Sequence, residues 1–254
     1  MLPNDLNNHE VSTDSTLAKQ ILALIDLTSL GETDTPAIIT ALCNKAVTAK
    51  GYVAAVCVYP QFIQQAAIQL SGSLVKIAAV ANFPHGQDSL PIVLASIKQS
   101  IQNGAHEIDV VFPYENYLAG KQSEAKDFIQ QCKFQCGKNV LLKVILETGA
   151  LKEPDIIASA SRDAIEAGAD FIKTATGKIK IGATLEAAEV MLQVIKEMQP
   201  KVDRPLGFKA SGGVRDLATA VGYLNLASKI MGANWVSPNT FRFGASQLLD
   251  VIIG

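Results

Sequence analysis

The chain has little of what staples small folds or holds metals. Its 254 residues include four cysteines, three histidines and one tryptophan. No two cysteines form a CxxC pair, and no Cys/His cluster has zinc spacing, so Cys43, Cys57, Cys132 and Cys136 are expected as structural thiols. His9, His85 and His106 are scattered, with no HExxH or triad-like pattern around them, which argues against a metal site. Charge of one sign is also missing: a net charge of -2 and a pI near 5.9 give no general attraction to nucleic acid or an acidic membrane. Any grip on an anion must therefore be local. Long apolar runs are absent as well. None approaches the roughly 18 residues of a membrane span, and the opening MLPNDLNNHEVSTDST is polar and lacks the apolar stretch of a secretion signal. These absences point to a soluble, cytoplasmic chain with neither membrane nor nucleic acid as partner.

What is present is a chain 48% hydrophobic, long enough to bury a large core. After a polar tail (residues 1–13), Asp14 or Ser15 can cap a helix over Leu17–Leu24. From there extended and helical patterns alternate about eight times. The extended segments are Ile25–Thr28, Tyr52–Pro60, Lys76–Phe83, Glu107–Tyr114, Asn139–Gly149, FIKTATG from Phe171, Pro205–Arg215, and ANWV with the closing RFGASQLLDVII. Helical spacing fills the intervals, for instance Leu90–Gln102, Asp155–Ala167, Leu185–Met198 and Leu217–Leu226. Strands that are uniformly apolar and separated by amphipathic helices call for a parallel sheet covered by helices. About 250 residues in eight units is the usual size of a (β/α)8 barrel. A weak repeat agrees: Gly104, Gly168 and Gly232, each followed by alanine and a polar residue, stand 64 residues apart, two units each, as helix C-caps ahead of a strand. The expectation is one α/β domain, a TIM barrel with a short N-terminal helical extension. An open Rossmann sheet comes second, weakened because the first unit has no GxGxxG.

Charged residues interrupt the apolar strands. Asp26 lies in LIDLT, Asp109 in EIDVVF, Lys143 in LLKVIL, Lys173 in FIKTAT and Lys209 in GFKASGG. A lone lysine of this kind can snorkel out through a strand end, and a set of them can be an ion-pair network that fills the barrel. The functional alternative is a nucleophilic amine. An exposed lysine titrates near about 10.4, and burial beside a second ammonium disfavours the charged form. Bringing it to about 7 or 8 takes roughly 4 kcal/mol of differential interaction. A neutral amine can attack a carbonyl, and the resulting Schiff base is an electron sink for making or breaking the adjacent C–C bond. Asp109 facing the same lumen, from the fourth strand, would add a proton carrier beside an excess of cations. Spacing does not say whether Lys173 or Lys209 is the nucleophile. Glycines follow the late strands, at Gly177-Lys178, Ser211-Gly212-Gly213 and Gly244-Ala245-Ser246, where loop NH groups can hold a phosphate.

LIDLT, AAVCVYP, NFPHG, EIDVVFPY, LLKVILETG, FIKTATGK, GFKASGGVR and RFGAS together, in this order from Ile25 to Ser246, resemble the deoxyribose-phosphate aldolases, class I aldolases on a (β/α)8 barrel. The resemblance implies reversible cleavage of 2-deoxy-D-ribose 5-phosphate into D-glyceraldehyde 3-phosphate and acetaldehyde. It implies no metal or organic cofactor, and only a small phosphosugar and aldehydes as partners; a homo-oligomer stays open. It makes Lys173 the Schiff-base residue, Lys209 the lysine that lowers its proton affinity, and Asp109 the acid/base. Lys143 becomes electrostatic support, Asp26, Thr28 and Cys57 fall near the site, and Thr176, Gly177, Lys178, Gly212, Gly213, Gly244 and Ser246 fall on sugar or phosphate contacts. A thiol at Cys57 would be open to alkylation by unsaturated aldehydes or would be inert and buried. The pattern departs at Gln247, where members have a second serine, and at Ala210-Ser211, where Pro-Ala is common. The sequence ends at Gly254, so no role is assigned to the tyrosine-ended tail some members carry. The alternatives are another Schiff-base aldolase acting on a different phosphosugar, and a barrel that binds phosphosugars without turnover.

Overall fold

The computed structural model describes residues 16–254. The polar tail, His9 and the candidate caps Asp14 and Ser15 lie outside them. Residues 16–22 are helical, and Ile21, Leu22 and Leu24 are buried against the barrel.

Eight parallel strands close on themselves: β1 (Ile25–Thr28), β2 (Ala55–Val58), β3 (Lys76–Ala81), β4 (Glu107–Val111), β5 (Leu141–Ile145), β6 (Phe171–Lys173), β7 (Gly207–Ser211) and β8 (Phe241–Ala245). Ring closure pairs Ile25 of β1 with Phe243 of β8. A parallel pair needs a crossover, and amphipathic helices supply it. Thr35 caps Pro36–Lys45, Thr184 caps Leu185–Met198 and Asp216 caps Leu217–Met231, each side chain accepting from a backbone NH of the first turn. Gly104, Gly168 and Gly232 take φ of 105°, 108° and 99°, which only glycine adopts without strain, and so reverse the chain after their helices.

Side chains alternate along a strand, so each strand splits its residues between two places. One set joins the main apolar core under the helices: Leu27, Val56, Val58, Ile77, Ala79, Ile108, Val110, Leu142, Val144, Ile172, Phe208, Ala210, Phe241 and Phe243. The other set enters the lumen. Two expectations need correction. The extended run from Tyr52 is broken, because Gly51–Tyr52 turns back to pair antiparallel with Val47–Thr48 before β2 begins. ANWV is not a strand: Thr240 hydrogen-bonds back to Trp235 and Ser237 around Pro238, and the eighth strand starts at Phe241.

Candidate active site

Strand register decides which charges meet. Asp109 of β4 lies beside Lys143 of β5, Lys173 of β6 beside Lys209 of β7, and Lys209 beside Arg242 of β8. Residues two apart share a face, so Glu107 enters with Asp109, Phe171 with Lys173, and Arg242 with Gly244. Glycine makes the room. A Cβ on Gly207 would sit 2.3 Å from the Phe171 ring, and one on Gly244 would sit 2.6 Å from Ser211 Oγ and 3.1 Å from Lys209 Cε.

Asp109 is the hub. Its Oδ2 accepts from Lys173 Nζ at 2.9 Å and Lys209 Nζ at 2.7 Å, and its Oδ1 from Lys143 Nζ at 2.8 Å. The Cys57 thiol stands 3.9 Å from the same Oδ2. Lys209 also donates to Asp26 Oδ2 at 2.6 Å, and Lys143 reaches Glu107 at 2.5 Å and Asp26 at 3.3 Å. Arg242 closes the lower end of the network. It lies 2.6 Å from Asp26 and 2.9 Å from Glu107, with its guanidinium carbon 5.7 Å from the centre of the Phe171 ring. The side chains of Asp26, Asp109, Lys143 and Lys209 are 0% exposed and that of Lys173 2%.

Burial and pairing push these groups apart. Burial, seconded by the Lys209 ammonium, lowers the Lys173 pKa from the ordinary lysine value even though Asp109 opposes it. Burial also works against charge on Lys209, but Asp109 and Asp26 outweigh it, so that pKa is raised. Lys143 is raised further, burial being outweighed by three carboxylates. Burial disfavours charge on Asp109, yet three lysines hold its pKa well below the carboxylate range. Asp26 is lowered in the same way, by Lys143, Lys209 and Arg242 against burial. The Cys57 thiol is pushed up by burial and then by Asp109, which keeps it protonated. The site thus holds one amine whose proton affinity falls and two whose affinity rises. The expected cationic excess of one acid and three lysines is corrected to three acids and four cations, because Asp26, Glu107 and Arg242 share the lumen.

The late loops form the rim. Thr174 clips β6 to β7, donating from Oγ1 to the Ser211 carbonyl at 2.8 Å while accepting from Ser211 N at 2.9 Å. Gly177, Gly212 and Gly213 all have positive φ. Gly182 passes so close to Gly212 that an added Cβ would lie 2.2 Å from the Gly212 carbonyl oxygen. Lys178 reaches across the mouth, its Nζ donating to the Leu30 carbonyl at 2.7 Å. Thr28 is committed locally, its hydroxyl donating to the Asp26 carbonyl at 2.8 Å. Gly244 and Ala245 belong to β8 itself rather than to a loop, and Ser246 is exposed just beyond it, next to Gln247.

Three buried charged residues of the lumen and its mouth escaped the sequence reading. Glu107 and Arg242 stand at strand starts, where a charge reads as solvent-facing; their signal is the two-residue spacing from Asp109 and Gly244. Glu147, in a left-handed conformation just after β5, is fully buried, and its carboxylate accepts from the Thr176 hydroxyl at 2.5 Å and from Thr176 N at 3.3 Å. Burial raises its pKa, with the Thr176 bonds opposing. Among the described residues no group of three or more His, Cys, Asp or Glu could hold a metal ion, and no helix is long and apolar enough to cross a membrane.

Comparison with known proteins agrees with this fold. A protein from Coccidioides immitis assigned as a deoxyribose-phosphate aldolase matches with a TM-score of 0.80 and 28% identity, covering 98% of both chains. One from Toxoplasma gondii ME49 with the same assignment gives a TM-score of 0.86 at 23% identity, over 95% of this chain and 93% of that one. The tetrameric deoxyribose phosphate aldolase of Aeropyrum pernix shares the fold, with a TM-score of 0.77 at 21% identity over 97% of each chain. The sequence model of the DeoC/LacD family aldolases matches residues 20–250, nearly the whole described chain, and the protein therefore belongs to the DeoC/LacD aldolase family.

Proposed function

We propose that this aldolase cleaves 2-deoxy-D-ribose 5-phosphate reversibly into D-glyceraldehyde 3-phosphate and acetaldehyde, through a Schiff base on Lys173. The observation that carries the reading is the pair of amines on one carboxylate oxygen. Lys173 and Lys209 both contact Asp109 Oδ2, at 2.9 and 2.7 Å, yet their proton affinities move in opposite directions. A neutral amine beside a persistent ammonium is what imine chemistry requires.

The neutral Lys173 amine adds to the C1 aldehyde of the open-chain sugar, and loss of water gives the imine. Removal of the C3 hydroxyl proton breaks the C2–C3 bond, releasing glyceraldehyde 3-phosphate and leaving an enamine on Lys173. Protonation at C2 gives the acetaldehyde imine, which water hydrolyses. Asp109 is held ionised by its three lysines, so it serves best by fixing the water and the ammonium of Lys209 through which protons move. Lys143 holds Asp109 in place from its other oxygen. On the opposite wall Ala78 and Val80 offer a 2-deoxy carbon an apolar surface without hydrogen-bonding groups. Thr176, Gly177, Lys178, Gly212, Gly213, Gly244 and Ser246 are assigned to the sugar and phosphate, the positive-φ glycines presenting backbone NH groups.

Reductive trapping tests the reading. With deoxyribose phosphate and borohydride, a stable mass is expected on the peptide bearing Lys173; label on the Lys209 peptide instead would refute the assignment. Lys209→Leu removes the neighbouring ammonium, so the Lys173 pKa rises: the pH optimum should move upward and the rate should fall by about 10²-fold.

A further inference from the structure

The ion-paired groups of the lumen form one connected set whose charges do not cancel. Asp26, Glu107 and Asp109 supply three negative charges against four cations, Lys143, Lys173, Lys209 and Arg242. A dry lumen tolerates an uncompensated charge poorly, and the adjustable quantity is a proton. The pairing pattern says which cation gives it up. Lys143 has three carboxylates within 3.3 Å, and Lys209 and Arg242 have two each within 2.9 Å. Lys173 has only Asp109, on an oxygen it shares with Lys209. Without Lys173 the set balances at three and three.

We propose that Arg242 and Glu107 are positioning residues that set this balance, so that Lys173 is the amine left uncharged. Arg242 makes no ion pair with Asp109 among the described residues; it acts through Asp26 and Glu107, which in turn hold Lys209 and Lys143. The groups facing Lys173 are Asp109 from β4, Lys209 from β7 and Cys57 from β2, with Lys143 from β5 on the other oxygen of Asp109 and Glu147 beyond the end of β5. Lys173 acts on the Glu147 carboxylate, but Glu147 makes no ion pair among the described residues and is hydrogen-bonded by Thr176, so it stands outside the paired set. Removing the Arg242 charge leaves three carboxylates with two cations, and Lys173 then takes up a proton. Removing the Glu107 charge does the reverse. Removing both restores the count.

This inference rests on the Schiff-base reading, and one experiment separates the two. The probe is acetaldehyde with cyanoborohydride, and the readout is the pH midpoint of label addition to the Lys173 peptide. R242Q should move that midpoint up by about one pH unit or more, and E107Q should move it down. The E107Q/R242Q double variant and the charge-conserving R242K should both return to within about half a unit of the parent, below the smallest effect a neighbouring charge exerts. Should R242Q fail to fold, the downward shift in E107Q and its reversal in the double variant decide the matter. Persistent labelling with unmoved midpoints, or shifts of the same sign in the two single variants, overturns the charge-balance proposal. No label on Lys173 in the parent overturns the Schiff-base reading instead.

Discussion

On β2 and β3 the lumen holds Cys57, Ala78 and Val80, packed with Leu30 into a small apolar cluster under Tyr59 and Phe83. On β4 to β8 it holds Glu107, Asp109, Lys143, Lys173, Lys209 and Arg242, with Asp26 of β1 reaching toward them. The two walls solve the same packing problem by different physics. The apolar wall needs only matching volume, and by excluding water it lowers the dielectric around its neighbour. The charged wall needs every partner at once, since a buried charge that loses its counter-charge costs far more than the pair ever contributed. Positions on the charged wall are therefore over-determined: Asp109 is held from β5, β6 and β7, and Asp26 from β5, β7 and β8.

The largest test of this contrast is Asp109→Asn against Val80→Ala. The first leaves two buried ammoniums and the Lys173 amine without their shared acceptor and should cost about 3–5 kcal/mol; the second leaves a small cavity and should cost about 2 kcal/mol. Denaturant midpoints near neutral pH compare them. The D109N penalty should shrink in alkali, where the stranded amines can shed protons, whereas the V80A penalty should not move. Equal penalties with equal pH dependence would mean that the charged wall is solvated and the contrast false.

A second test uses acid. Asp26 and Asp109 have folded pKa values below the roughly 3.9 of an unfolded aspartate. Their contribution to stability is thus fully present above that value and is lost as pH falls through the folded values. Asp26→Asn should lower stability at about pH 6 and flatten the acid limb of the stability curve below about pH 4. V80A should run parallel to the parent across the whole limb. Thermal midpoints at a series of pH values read both, and an unflattened limb in D26N would show that its carboxylate is not held down by Lys143, Lys209 and Arg242.

The contrast also explains what was legible in the sequence. The barrel could be read because uniformly apolar strands and capped amphipathic helices are local signals, and Lys143, Lys173, Lys209 and Asp109 could be read because each interrupts an apolar run. Glu107 and Arg242 lie two residues from a visible site position, but at the edge of their strands, where charge is ordinarily solvated. Only register, Ala78 beside Glu107 and Lys209 beside Arg242, turns them inward. ANWV was misplaced for a related reason. Its apolar residues carry strand propensity, but the Pro238 turn and the Thr240 hydroxyl bonds outweigh it. A lowered amine was anticipated at Lys173 or Lys209, and only the resemblance chose Lys173 between them. For Lys209 and Lys143 the direction of the shift depends on how many carboxylates each touches, a count no linear pattern contains.

Glu147 supplies the smallest and sharpest comparison, since it is a buried carboxylate satisfied by a hydroxyl and an NH rather than by ammoniums. Its pKa is raised where those of Asp26 and Asp109 are lowered, so its sign is reversed. Ionised Glu147 is disfavoured in the folded chain, and the cost grows as pH climbs past the unfolded glutamate value of about 4.3. Glu147→Gln keeps an acceptor for the Thr176 hydroxyl and removes the charge, so its stability relative to the parent should improve between about pH 4 and about pH 7. Glu147→Ala strands the Thr176 donors at every pH and should cost about 1–3 kcal/mol throughout. The pH slope, not the size, is diagnostic: if E147Q instead loses ground to the parent as pH rises, the carboxylate is stabilised as an anion, and the mouth of the barrel obeys the same rule as the charged wall below it.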